Sequence, residues 1–305
     1  MFNPLKRKND EKVKNRSLRR WTLDLIALIM IILVMSGAVL WLTRPFVPES
    51  RSQFPAARLF YTSEGHSYAL DLQTGEHTAV QQPRASVIHP DAPSDLVVAQ
   101  ALVGANEHTP FVASPNGQWL VGWKHIRDRR EWELMLYGEL AEGYAQSLGI
   151  FHGTITEAPI SWAPDSKAIT FSANPPSPNS ETFSVQDEEL WRVAIPSGDL
   201  IRLTNNNTRD AVPDVSPDGT EIVYISTADG YHRLYIMDVA TGASHLISPE
   251  IFGFSPVWSP DGMWIAYITN QYSQSVDIWL VRPNGTGALA VVQGPEDERD
   301  PMWLP

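Results

Sequence analysis

The sequence predicts an all-β fold: a five- or six-bladed β-propeller of four-stranded antiparallel blades, preceded by one N-terminal transmembrane helix. A Pro-containing hairpin motif recurs every 43 to 53 residues, which is the period of a propeller blade. The last five residues repeat the start of that motif, while the first blade lacks its own first strand. The third observation is an uncharged apolar run near the N-terminus, from Leu25 to Leu42.

Residues 1–20 carry eight basic side chains against Asp10 and Glu11, a net charge of +6. The apolar run that follows spans 18 residues, or roughly 27 Å of helix, close to the hydrocarbon thickness of a bilayer. Trp21 and Trp41 flank it at headgroup level, and the basic cluster before it places the N-terminus inside. The sequence therefore divides into a basic cytoplasmic tail (1–20), a transmembrane signal anchor (21–43), a Pro-containing linker (44–56) and an exported propeller (57–305). Cleavage as a signal peptide after Ser36-Gly37-Ala38 is the competing reading. Against it stands the apolar run, which continues through Val39, Leu40, Trp41 and Leu42.

Four segments carry the repeat: PFVASPNGQWLVGW (110–123), PISWAPDSKAITFS (159–172), PDVSPDGTEIVYIS (213–226) and PVWSPDGMWIAYIT (256–269). In each, Pro presets φ at the first corner and Asp or Asn bonds the turn backbone, and in three of the four Gly takes φ > 0. Ser166 stands where the other repeats have Gly, so that turn is expected to differ. The strands after the turn are apolar on both faces, as expected between two packed layers. Third strands are predicted at 132–137, 189–195, 233–239 and 277–282, and short fourth strands such as 200–203 follow.

Residues 57–80 hold the second, third and fourth strands of a blade, and Pro301–Pro305 is a first strand with nothing after it. Pairing the two closes the ring and leaves no open sheet edge. Residues 84–108 contain a worn hairpin, Val87–Asp91 followed by Leu96–Val98, which reads as a sixth blade or a long loop.

The pattern PxWSPDG…IAY…DIWLV at 256–281, with its partner at 213–239, resembles the TolB-like β-propeller repeat, and the resemblance covers roughly 57–305. It implies a propeller that binds a partner in the cell envelope, since the family's namesake is a periplasmic protein whose propeller binds a lipoprotein. This sequence departs from it by its membrane anchor and by the absence of an N-terminal α/β domain. Fold alone does not carry function.

Charge and composition narrow the chemistry. From Pro45 onward, 14 basic and 32 acidic residues leave a net charge of −18, which repels phosphate backbones and excludes nucleic acid as a partner. Such a surface favours basic or cationic partners. There is no cysteine, hence no disulfide, thiolate metal site or cysteine nucleophile. The eight histidines show no metal-ligand spacing, and no cofactor is expected. No G-x-S-x-G elbow occurs, and Ser114, Ser216 and Ser259 read as turn formers. Asp187-Glu188-Glu189 resembles the glutamate pair with which peptidase propellers grip an amine, but it aligns with the start of an ordinary third strand.

The function expected is a membrane-tethered binding module in the envelope, not an enzyme, that recognises a protein partner or small ligand. Loops leading into the innermost strands surround one mouth of a propeller channel. They nominate His108, Glu157, Arg209, Asp210, Arg299 and Asp300 as a binding rim. The alternative is a glycan-active hydrolase, which requires carboxylates converging in the channel.

Overall fold

Each repeat folds as a hairpin whose corner is held by its own side chains. The Ser259 hydroxyl donates to Asp261 Oδ1 (2.6 Å) and accepts the Trp264 N–H (2.9 Å), while the Ser259 N–H bonds the Trp264 carbonyl (2.8 Å). Ser216 with Asp218 and Glu221, and Ser114 with Asn116 and Trp119, repeat the arrangement. These serines are turn formers. Gly219 sits at φ +77°, and a Cβ there would meet Pro164 of the preceding repeat at 3.2 Å, so the turns pack on one another. Ser166 corrects one expectation: it adopts φ +60°, keeping the left-handed corner that glycine makes elsewhere. Its hydroxyl accepts the Asn116 N–H (3.0 Å), a bond that a glycine there would lack.

The computed structural model describes residues 54–80, 111–126, 131–138, 145–152, 159–174, 188–248, 255–270 and 274–304. All lie within the unit Ser50–Pro305. They form five four-stranded antiparallel sheets. Sheet A contains β1 (Arg58–Ser63), β2 (His66–Asp71) and β3 (His77–Val80). Sheet B contains β4 (Val112–Ala113), β5 (Leu120–Ile126), β6 (Glu131–Tyr137) and β7 (Ala145–His152). Sheet C contains β8 (Ser161–Trp162), β9 (Ala168–Ala173), β10 (Glu189–Ala194) and β11 (Leu200–Arg202). Sheet D contains β12 (Asp210–Val215), β13 (Glu221–Ser226), β14 (Arg233–Asp238) and β15 (Ser244–Leu246). Sheet E contains β16 (Val257–Trp258), β17 (Ile265–Thr269), β18 (Asp277–Val281) and β19 (Leu289–Val292). The last strand, β20 (Glu298–Leu304), belongs to sheet A.

The closure predicted from the chain ends is present. β20 pairs antiparallel with β1, setting Arg58 opposite Leu304, Leu59 opposite Trp303 and Phe60 opposite Met302. The worn hairpin at 84–108 and the predicted helix at 21–43 lie outside the described residues. Among the described residues, no helix is long and apolar enough to cross a membrane.

The second strands are the most deeply covered. All of β9 and β17 is buried, as expected for strands that are apolar on both faces. Between sheets B and C, aromatics dominate: Trp123, Phe151 and Phe171 meet edge-on at centroid distances of 5.1 to 5.6 Å. Further apolar clusters join sheets C to D, D to E and E to A. First-strand tryptophans also link neighbouring sheets. Trp162 Nε1 donates to the Val112 carbonyl and Trp303 Nε1 to the Val257 carbonyl, each at 3.2 Å.

Candidate functional site: the central cavity

The five first strands (β4, β8, β12, β16 and β20) line a single cavity of about 690 Å³. Prolines 115, 159, 213, 256 and 301 line it together with Phe60, Val112, Ile160, Val257 and Met302, so most of its wall is apolar. Three non-glycine residues of the lining have left-handed backbones: Val212 (φ 56°), Ser255 (φ 70°) and Asp300 (φ 53°). Each immediately precedes the proline of its repeat. Val212 and Asp300 sit where the pairing of their strands shifts register, so they are bulge residues. For a β-branched residue such as Val212 the left-handed region is strained, by about 1–2 kcal/mol.

One acid is built into the wall. Asp214 Oδ1 accepts the Ser161 hydroxyl of sheet C (2.8 Å), and Oδ2 accepts the Trp258 N–H of sheet E (2.7 Å). The Ser161 oxygen in turn accepts the Val215 N–H (2.9 Å). One carboxyl thereby ties three successive sheets. Asp214 lines the cavity and is half-buried. That desolvation pushes its pKa up to about 6, although the donated hydrogen bonds pull the other way. At the matching place the other first strands carry Val112, Ser161, Val257 and Met302.

The rim residues expected from sequence fall into different surroundings. Asp300 lines the cavity, and its Oδ2 accepts the Thr62 hydroxyl (2.9 Å). Arg299 is 58% exposed and pairs with Asp297 (2.7 Å). Arg209 pairs with Glu188 (2.7 Å), whose other oxygen accepts the Ser172 hydroxyl (2.6 Å). Asp210 is buried between sheets C and D, where Oδ2 accepts the Asn206 amide (2.8 Å). Burial raises its pKa, opposed by hydrogen bonds from Ser226, Asn206 and Thr204, and the charge of Glu189 adds to the rise. His108 and Glu157 lie outside the described residues.

The Glu188-Glu189 pair is engaged within the fold, as the strand alignment predicts. Glu189 is fully buried, and its Oε1 accepts Arg202 Nη2 (2.7 Å) and the Asn206 N–H (2.9 Å). Sequence reasoning missed two features here. The first is Asp214, whose signal was an acid where the other repeats place apolar residues or serine. The second is a recurring pair of acids: Asp277 and Glu298 repeat, between sheets E and A, the places of Glu189 and Asp210 between sheets C and D. Among the described residues no group of three or more His, Asp or Glu side chains is assembled to hold a metal.

A family model, TolB beta propeller domain, matches residues 114–305. The chain belongs to the TolB β-propeller domain family. Among relatives, a protein TolB homolog of Chlorobaculum tepidum is 31% identical over 108 residues, covering 35% of this chain and 25% of that protein. The uncharacterized protein Atu1656 of Agrobacterium fabrum is 32% identical over 135 residues, covering 42% of this chain and 44% of that one. The chain thus spans less than half the length of these curated relatives. Among solved structures, TolB from Acinetobacter baumannii has a TM-score of 0.48 at 17% identity, covering 77% of this chain and 53% of that one. Within this TolB-family propeller, the matched region contains sheets C, D and E entire, together with β20.

Proposed function

We propose that this chain is a membrane-anchored, extracytoplasmic binding module of the cell envelope, which engages a protein partner or small ligand at the central cavity of its propeller. Residues 21–43 act as an uncleaved signal anchor, residues 1–20 as a basic cytoplasmic tail and residues 44–56 as the linker to a periplasmic or extracellular propeller. The observation that carries the reading is the cavity: about 690 Å³, within the range of ligand sites, walled by one strand from every described sheet. A largely apolar wall with few fixed polar groups suits recognition. Arg299 and Asp300, with His108 and Glu157, form the rim in this reading, while Arg209 and Asp210 shape the loop before β12.

A hydrolase is the less favoured reading. It needs a pair of carboxyls facing one bond, one of them free to give a proton. The acids of the described cavity wall are Asp214 and Asp300, and each is already engaged by neutral donors of the fold.

Site-specific photocrosslinking in the full-length protein, in its own membrane, tests the binding role. A photoreactive residue at Val112 or Asp300 is expected to give a discrete adduct that the same residue at Ile201, 57% exposed on β11, does not give. An adduct formed at Ile201 and absent from both cavity positions would contradict the proposal.

A further inference from the structure

Among the described residues, none supplies Asp214 with a counter-charge. The cavity wall contains two carboxyls, Asp214 and Asp300, and no Lys, Arg or His among its described residues. No ion pair among the described residues involves Asp214; its oxygens take only neutral donors, the Ser161 hydroxyl and the Trp258 N–H. Those donors come from flanking sheets and fix the carboxylate in place, and each oxygen keeps a second lone pair. A carboxylate held by neutral donors against an apolar wall interacts strongly with any cation that reaches it.

Three further observations agree. The prolines and aliphatic side chains that line the cavity offer contact to an apolar stem. The exported part carries a net charge of −18, which draws cations toward it. Val212, two residues before Asp214, is also held in the left-handed region, the kind of strain that collects at ligand clamps.

Resting on the cavity as the binding site, we infer that its ligand is a peptide segment presenting a single lysine or arginine among apolar residues, with the basic group seated on Asp214 and the apolar neighbours on the proline-rich wall. Asp300, a bulge residue of β20, lines the same cavity and adds a second negative charge to its wall. The specificity belongs to this chain's sheet D, because the matching places in the other sheets carry no charge.

The test is calorimetric titration of the full-length protein in detergent with the pentapeptide Ala-Leu-Lys-Leu-Ala, its norleucine isostere Ala-Leu-Nle-Leu-Ala, and n-butylammonium. The lysine peptide is expected to bind about ten- to a hundredfold more tightly than the norleucine peptide, the worth of one charge-assisted hydrogen bond. Asp214→Asn is expected to abolish that ratio, and Asp300→Asn to reduce it. A measurement on the unmodified protein guards against misfolding of Asp214→Asn: the ratio should collapse as pH falls through about 6, where Asp214 takes up its proton. Equal affinity for both peptides, or a preference that survives at pH 4.5, would overturn the inference while leaving photocrosslinking at the cavity intact. Binding of n-butylammonium as tight as that of the lysine peptide would overturn the peptide assignment in favour of a small amine.

Discussion

Replacing Trp264 with alanine should cost about 3–5 kcal/mol of folding stability, the range for deleting a large buried aromatic. Trp264 is 1% exposed, in the cluster that joins sheets E and A. The Phe54 ring lies 5.5 Å from its own, and the Arg282 guanidinium lies over it at 4.3 Å. Removing the indole therefore opens a cavity at the seam beside the closing strand and strips the guanidinium of its aromatic face. For a domain of this size the loss corresponds to roughly 10 °C in the melting temperature. The neighbouring Met263 is 50% exposed, and its replacement by alanine should fall within about 0.5 kcal/mol. Urea melts of the two variants beside the parent check this. Equal destabilisation would show that the seam carries no special load.

The second large effect is an alkaline loosening at the same seam. Glu298 opens β20, and its N–H donates to the Val276 carbonyl (2.7 Å). Its Oε2 is buried and has no hydrogen-bond partner among the described residues. The groups around it are acidic or neutral: Asp277 on β18, Glu296 and Asp297 before it in the chain, and Tyr61 on β1, whose hydroxyl lies 2.8 Å from His77 Nδ1. The adjacent Arg299 is turned to Asp297. Burial first, and the charge of Asp277 second, push the Glu298 pKa up to about 7.

A carboxyl raised in the folded state binds its proton more tightly there than in the unfolded chain. Its stabilising share is therefore complete below about 4.5 and is lost as pH rises through about 7. Only 4% of Glu298 is exposed, but it follows the exposed Glu296 and Asp297, and nearby solvent screens part of the effect. About 1–2 kcal/mol is expected after that discount. Glu298→Gln should match the parent at pH 4.5 and exceed it by that amount at pH 8.5, read as the difference between two melting curves. A variant less stable than the parent at pH 8.5 would contradict this reading.

Much of the architecture was legible in the sequence because its signals are local. Pro-Asp-Gly corners, short strands apolar on both faces and a 43-to-53-residue spacing fix hairpins without reference to the rest of the chain. The closure at Pro301–Met302 was legible too, because those residues copy a motif seen four times before. Ser166 was misjudged because its turn is held left-handed by packing and by the Asn116 N–H from the neighbouring repeat, a non-local bond. The surroundings of Asp214 and the pairing of the buried acids were not legible for the same reason. Nothing in Pro213-Asp214-Val215 shows that Ser161 and Trp258 will converge on one carboxyl, and nothing in the charge count separates a buried acid from a solvated one. Arg209 and Asp210 are adjacent and both charged, yet one pairs with Glu188 and the other is sealed between two sheets.

The cavity, its acid and the acid-lined seam all depend on β20 completing sheet A. The chain has no cysteine, so a single engineered pair reports on that pairing without background. Arg58 and Leu304 face each other across β1 and β20, and opposed residues of antiparallel strands have Cα atoms about 4.5–5.5 Å apart, within disulfide reach. Arg58→Cys with Leu304→Cys should therefore oxidise to an intramolecular disulfide, detected by mass and by thiol loss. Arg58→Cys with Arg299→Cys, which lie at opposite ends of the strand pair, should keep both thiols. A result in which the first pair stays reduced, or both pairs oxidise alike, would mean that the ring is not closed by the C-terminal strand.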